Sequence, residues 1–368
     1  MKQKKFVTNI GNIGENRSDF MNVKFSVLVP LFNTPENFLR DMIESVQGQT
    51  YKMWELCLAD ASDKAHSYVG EIVKDYAKKD SRIKYRKLEK NQGISENTNA
   101  CIDMSTGNYF ALLDHDDVLD KRALYEVARA IKKNKADFIY TDEAKFTNSI
   151  EAWFSPNYKP DFSKYELRAH NYICHLTVYS RELLDKVGRY RKKFDGSQDH
   201  DMVLRLTEKA QSIVHISKVL YYWRVHSESV SAGVENKAYA IDAAKLAVKE
   251  QVERSGKNCE VITHAPFSLL YHVLYEIKGE PTVTIVLFGD ETVDSLKRCI
   301  ESIEFNAGYD KLQYRILANN KLYDDCKKST DFLNTPHKVD INLCDWRKKT
   351  NNKDLMELDG DYLLFLNM

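Results

Sequence analysis

Seven cysteines, Cys57, Cys101, Cys174, Cys259, Cys299, Cys326 and Cys344, stand singly among the 368 residues. With no CxxC pair and an odd total, neither a disulfide framework nor a zinc knuckle is indicated, and a reducing cytosol suits the chain. Glycine and proline are scarce, 14 and 7 residues, which excludes collagen-like and low-complexity character. Charge of one sign is not in excess: 54 Lys and Arg balance 54 Asp and Glu, so recruitment of nucleic acid by bulk positive charge is not expected. No apolar run reaches the roughly 18 residues of a membrane span, and the basic N-terminus lacks the apolar core of a secretion signal. What is present is a globular balance, 43% hydrophobic and 29% charged, on a length that suggests two domains at roughly 150 residues each.

Apolar, β-branched runs alternate with helical spacing along the first third. Phe25 to Pro30 reads as a buried strand closed by the turn Leu31-Phe-Asn-Thr-Pro35, and Phe38, Leu39, Met42, Ile43 and Val46 follow at helix period. Trp54 to Ala59 and Ile83 to Leu88 read as further strands, separated by a helix through Val69, Ile72, Val73 and Tyr76. Ser95 to Met104 reads as a helix, and Tyr109 to Leu113 as a strand running into Asp114-His-Asp-Asp117. This alternation predicts a parallel sheet with helices on both faces, whose ligands sit beyond the carboxyl ends of the strands. Pro30 to Asn33, Asp60 and Asp114 to Asp117 are therefore candidates for one crevice. From about Asp142 to Val225 the pattern is less regular and rich in aromatics, suiting a substrate-shaping half. Tyr239 to Val252 reads as an amphipathic helix.

An internal repeat starts after Pro281. Val283-Thr-Ile-Val-Leu287 echoes Phe25 to Val29, Leu296 to Ile303 echoes Leu39 to Val46, and Gly360 to Asn367 echoes Gly107 to Asp114. Asn367 falls opposite Asp114, so the second copy lacks the acidic cluster and everything after it. The expected division is an N-terminal extension, 1–23, a first domain, 24–256, a linker, 257–281, and a partial second domain, 282–368. Either the chain is a piece of a longer two-domain protein, which is favoured, or the half-domain is a natural appendage. An apolar strand such as Tyr362 to Leu366 then needs cover, for which self-association into a homo-oligomer is one route.

Carboxylates at the end of an apolar strand can hold a hard divalent cation that keeps positions open for phosphate oxygens. Asp116 and Asp117 equally fit caps of a helix starting near Leu119. Asp199, in Gly196-Ser-Gln-Asp-His-Asp201 ahead of an apolar helix, can serve as a general base in a partly dry cleft or as an N-cap. Arg224 and His226, in Tyr221-Tyr-Trp-Arg-Val-His226, can meet phosphate or metal, or be structural. Trp153-Phe154 and His170-Asn-Tyr-Ile-Cys-His175 can stack on sugar faces or fill a core.

Taken in order, these segments resemble glycosyltransferase family 2, inverting nucleotide-sugar enzymes with the GT-A fold, an α/β architecture built on a mostly parallel sheet. Phe25 to Asn33 is similar to the opening strand and nucleotide-binding turn, Asp60-Ala-Ser62 to the base-contacting loop, Asn91-Gln-Gly-Ile-Ser95 to the loop beside the nucleotide, and Asp114-His-Asp-Asp117 to the D-x-D metal motif. Tyr140-Thr-Asp-Glu143, Tyr158-Lys-Pro-Asp-Phe162 and the segments ending at His175, Asp201 and His226 resemble the bacterial branch that builds O-antigen, capsule or cell-wall polysaccharide, rhamnosyltransferases among them.

The resemblance implies that Asp60 contacts the nucleobase. Pro30, Phe32, Asn33, Asn91 and Gly93 would line the donor site, with Asp114 at the ribose or ion. Asp116 would hold Mg²⁺ or Mn²⁺, with His226 a further ligand, and Trp223 and Arg224 would lie near the diphosphate. Asp199 would be the catalytic base. Thr98 stands where many members have Arg, which shifts an expected diphosphate contact onto Arg224. The implied partners are a nucleotide sugar and a glycan or lipid-linked glycan acceptor, in the cytoplasm and in reach of the inner face of the plasma membrane. A catalytically degenerate binding or scaffold protein is the alternative. A nucleotidyltransferase would show a Gly-rich basic loop after the first strand, which Leu31 to Pro35 does not offer.

Overall fold

The computed structural model describes residues 23–226, 238–264, 266–289, 292–328, 335–344 and 359–367; the expected N-terminal extension falls outside them, apart from Val23. The chain divides into two compact units between Tyr275 and Glu276.

In the first unit the elements run β1 (Phe25–Leu31), α1 (Glu36–Gln47), β2 (Trp54–Asp60), α2 (Tyr68–Lys79), β3 (Ile83–Lys87), α3 (Ile94–Met104), β4 (Tyr109–Leu112), β5 (Val118–Leu119), α4 (Ala123–Asn134), β6 (Phe138–Phe146), β7 (Phe154–Asn157), α5 (Lys164–Ala169), β8 (Thr177–Ser180), α6 (Arg181–Val187), α7 (Gln198–Lys209), β9 (Ile213–Arg224), α8 (Ala238–Arg254), β10 (Cys259–His264) and β11 (Phe267–Tyr275). One mostly parallel sheet, ordered β3-β2-β1-β4-β8-β6-β9-β5 with β7 on β6, spans this unit. Every residue of β1 and β2 is buried, because α1 covers one face through Leu39, Met42, Ile43 and Val46 and α3 covers the other through Cys101 and Ile102. Strands buried on both faces read as continuous apolar runs, which is why these were legible.

Three expectations need correction. The stretch from 142 to 225 is not irregular: it completes β6 and supplies β7, β8 and β9 to the same sheet. Its strands lack a long apolar run: β7 is four residues and exposed throughout, and β8 is only four residues long. No helix starts near Leu119; Val118 and Leu119 pair with Tyr222 and Tyr221, and the helix waits until Ala123. Residues 257–281 are not simply a linker, since β10 and β11 form an antiparallel hairpin whose Val261 and Tyr271 join the core built on α7 and α8.

The second unit contains β12 (Val283–Gly289), α9 (Val293–Ala307), β13 (Leu312–Ala318), α10 (Asn320–Lys328), β14 (Lys338–Leu343) and β15 (Tyr362–Asn367). Its parallel sheet, β14-β13-β12-β15, has the order of β3-β2-β1-β4. Register matches as well: β1 sets Leu31 against Asp60 and Leu28 against Leu112, and β12 sets Gly289 against Ala318 and Val286 against Phe365.

Candidate active site

Strand order reverses beside β1, and the loops leaving the carboxyl ends of β1, β2 and β4 share one edge of the sheet, the place where open α/β sheets bind ligands. Pro30 sits in the last turn of β1 and Phe32 follows with its ring 44% exposed. Asn33 adopts a left-handed φ of 52°, tolerable for asparagine because its amide bonds locally. That amide donates to Asp63 Oδ2 at 3.0 Å and accepts from the Asp63 N–H at 3.1 Å, locking the two loops together. Asp60 is buried: Oδ1 accepts from the Ser62 N–H at 2.8 Å, and Oδ2 from the Tyr85 hydroxyl at 2.8 Å and Lys87 at 3.2 Å. Here Asp60 organises the loop from beneath.

Asn91 Oδ1 accepts from the Gly93 N–H at 3.0 Å and from Asn97 at 2.9 Å. Gly93 has φ 103°, and a Cβ there would lie 2.2 Å from Asp195 Oδ2, so glycine is required twice over. Asp195 Oδ1 accepts from the Ser95 N–H at 3.1 Å, which ties this loop to the one that carries Asp199. Thr98, in the place of an expected arginine, bonds back to the Ile94 carbonyl at 2.8 Å.

The acidic turn is built around Asp117, which is buried. Its carboxylate accepts from the Tyr221 hydroxyl at 2.5 Å and from the Arg224 N–H at 2.7 Å. It therefore anchors the turn to β9, and the capping role is excluded. Burial, then the charges of Asp116 and Asp114, push its pKa well above the carboxylate range. Asp116 reaches His226 Nε2 at 2.9 Å. Asp114 is half-exposed and lies 3.5 Å from His175 Nε2. The His175 ring stacks on Tyr221 at 4.7 Å and meets Trp223 edge-on at 5.9 Å. Burial opposes a positive charge on that ring, but Cys174, Asp114 and Glu143 outweigh it and raise its pKa.

Arg224 lies directly against the acidic turn. Its guanidinium is buried, bonds to the Asp116 carbonyl at 2.6 Å and Asp41 at 2.9 Å, and sits 4.4 Å from the Phe38 ring centre and 4.5 Å from that of Phe146. It holds the acidic turn against α1.

Asp199 lies in the first turn of α7, whose N-cap position is Ser197; its carboxylate accepts from Gln198 at 3.0 Å and makes no capping bond. Burial and the negative charge of Asp114 push its pKa up to about 6, against the opposing pull of His175. Asp114 thus acts electrostatically on both Asp117 and Asp199, bringing the turn after β4 and the start of α7 to one place.

Sequence reasoning assigned no site role to the groups beneath this turn. Lys159, its side chain fully buried, donates to Glu143 at 3.1 Å, to the Ile173 carbonyl at 2.6 Å and to the His175 carbonyl, while Glu143 accepts from the His175 N–H at 3.2 Å. The available signal was Asp142-Glu143 inside an apolar strand, since a buried charge demands a partner. A hard divalent cation suits the donors present: ligand atoms of Asp114, Asp117 and His175 lie within 4.8 Å of one another, Asp116 and His226 adjoin them, and the crowded carboxylates gain from a positive neighbour.

Residues 26–188 match the family described as Glycosyl transferase family 2. The chain is 37% identical over 304 residues to the protein y4gI of Sinorhizobium fredii, covering 82% of this chain and 33% of that one. It is 30% identical over 354 residues to the O-antigen biosynthesis protein RfbC of Myxococcus xanthus, covering 93% of this chain and 27% of the relative. The chain thus spans about a third or less of these relatives. Residues 1–349 of S. aureus TarS, solved in complex with UDP-GlcNAc, superpose with a TM-score of 0.53 at 18% identity, covering 62% of this chain and 66% of that one. With the parallel sheet, its reversed strand order and the acidic turn at its edge, these matches establish that the chain carries a family 2 glycosyltransferase domain of the GT-A fold.

Proposed function

We propose that the first unit is an inverting, metal-dependent glycosyltransferase that moves a sugar from a nucleoside-diphosphate donor to a hydroxyl of a growing surface glycan, of the O-antigen, capsule or cell-wall kind. The observation that carries this reading is the Asp199 carboxyl, raised to about 6 by burial and by Asp114, a value suited to taking a proton near neutral pH. Asp199 accepts the proton of the acceptor hydroxyl; the oxygen bonds the anomeric carbon on one side as the bond to the diphosphate breaks on the other. Asn33, Asp60 and the Asn91–Gly93 loop shape the nucleotide crevice, and the Asp195 bond to Ser95 keeps that loop in register with the base. Asp116 and His226, with Asp114 alongside, are the residues that would hold Mg²⁺ or Mn²⁺. Such an ion, when bound, neutralises charge on the leaving diphosphate. No helix among the described residues is long and apolar enough to cross a membrane; work at the cytoplasmic membrane face, on a lipid-linked acceptor, belongs to the proposal.

A thermal-shift screen of UDP-, GDP- and dTDP-sugars with and without Mn²⁺ tests it. A ligand held only by the folded state, present at about 100 times its Kd, adds roughly 2.7 kcal/mol of stability. One donor with Mn²⁺ is expected to raise the melting temperature beyond either alone, and Asp116→Asn to remove the gain. Indifference to every donor favours the binding or scaffold alternative.

A further inference from the structure

Three neighbouring strands carry a feature that the transfer chemistry leaves unused. Register places Tyr221 of β9, Glu143 of β6 and Asn157 of β7 in one row, and Trp223, Lys145 and Phe154 in the next. Contacts show which side of the sheet these rows occupy. His175 stacks on Tyr221 and meets the edge of Trp223, Glu143 accepts from the His175 N–H, Asn157 donates to Glu143 at 3.2 Å, and the Lys145 ammonium lies 5.6 Å from the Trp223 ring. Both rows therefore continue from the side that holds His175 and Asp114. On the reverse side Tyr222, Ala144 and Phe146 close into their own buried cluster.

Cover falls away along the rows. Tyr221 is buried, Trp223 is half-buried, and Phe154 is 43% exposed with Trp153 and Tyr158 beside it at 41% and 69%. The whole of β7 is exposed, and a bulge at Ser155, with φ 47°, sets Ser155 and Pro156 of β7 against Ala144 alone of β6. Exposed aromatics on an edge strand are costly to leave in water, and these are interleaved with an amide and an ammonium. A pyranose ring offers the matching surface, an apolar C–H face with hydroxyls at its rim. Two strand spacings make this strip roughly 10 Å wide, so it extends well past the position of a single reacting ring.

We propose that the strip from Trp223 through Lys145 to Phe154 is an acceptor subsite that seats the sugar rings behind the reacting hydroxyl. This rests on the transferase reading and adds to it that the acceptor is an oligosaccharide rather than a single sugar or a bare lipid phosphate. Phe154 stacks on a ring face, and Lys145 and Asn157 meet hydroxyl or acidic substituents at its edges.

The test is a glycan array printed with bacterial O-antigen and capsular fragments of one to six sugars, probed with the full chain, Phe154→Ala and Lys145→Ala. Melting curves confirm that the variants are folded. Wild type is expected to retain fragments of three or more sugars and not the monosaccharides, with signal at least tenfold lower in each variant. Wild type that binds no fragment, or variants that bind as wild type does, would overturn the subsite. Hydrolysis of the nucleotide-sugar panel by wild type, followed in parallel, separates that outcome from failure of the transferase reading: donor turnover without glycan binding rejects the subsite alone, and no turnover rejects the reading beneath it.

Discussion

Asp199→Asn loses transfer activity by about 10²- to 10⁴-fold, yet melts at or above the wild-type temperature at pH 7.5. Both effects come from one cause. Burial and the Asp114 charge hold the carboxyl at about 6 instead of 3.8, so the folded protein takes up a proton more readily than the unfolded chain between those values. Stability contributed by that proton is present at low pH and lost as pH rises through 6. The ionised native state is accordingly weakened by on the order of 3 kcal/mol. Asparagine keeps the shape, cannot ionise and cannot accept the proton. Wild-type kcat/KM rises about tenfold per pH unit up to about 6 and then levels, because the base works only when ionised. The melting difference between the two proteins closes below about pH 4. Near-normal turnover of Asp199→Asn, or a flat acidic limb in wild type, removes the base assignment.

Lys159→Met is the second large effect, and its origin is structural. The ammonium has no contact with water and three acceptors: Glu143 and the carbonyls of Ile173 and His175. Removing one partner of a buried pair leaves an uncompensated charge, at a cost of roughly 3–5 kcal/mol. Urea denaturation of Lys159→Met is expected to show that loss. Adding Glu143→Leu removes the stranded carboxylate and recovers part of the stability. Activity is not recovered in the double variant, because the His175 main chain has lost both the donor to its carbonyl and the acceptor of its N–H. Full recovery of activity in the double variant shows that the pair does nothing for the site.

The same contrast explains what was legible beforehand. β1, β2, β4 and the acidic turn follow from local pattern: an apolar run, a stop and a carboxylate. Asp199 was visible as a residue type ahead of a helix, and its surroundings at Asp114 were not. β8 slips antiparallel between β4 and β6, and β5 is two residues long; neither pairing has a local signature, so the middle of the chain read as irregular. Arg224 was read from its charge, and its partners Asp41, Phe38 and Phe146 lie far off in sequence. Glu143 and Lys159 sat in motifs with no assigned task until the fold brought His175 between them.

The matched registers of the two sheets also set a stoichiometry. Where the first unit ends β2 with Asp60, the second has Ala318. Extending the alignment of Leu112 with Phe365 by two residues puts Asn367 opposite Asp114. The duplicated scaffold thus carries Ala318 and Asn367 where the first carries Asp60 and Asp114, and titration calorimetry with the preferred donor and Mn²⁺ should saturate at one equivalent per chain.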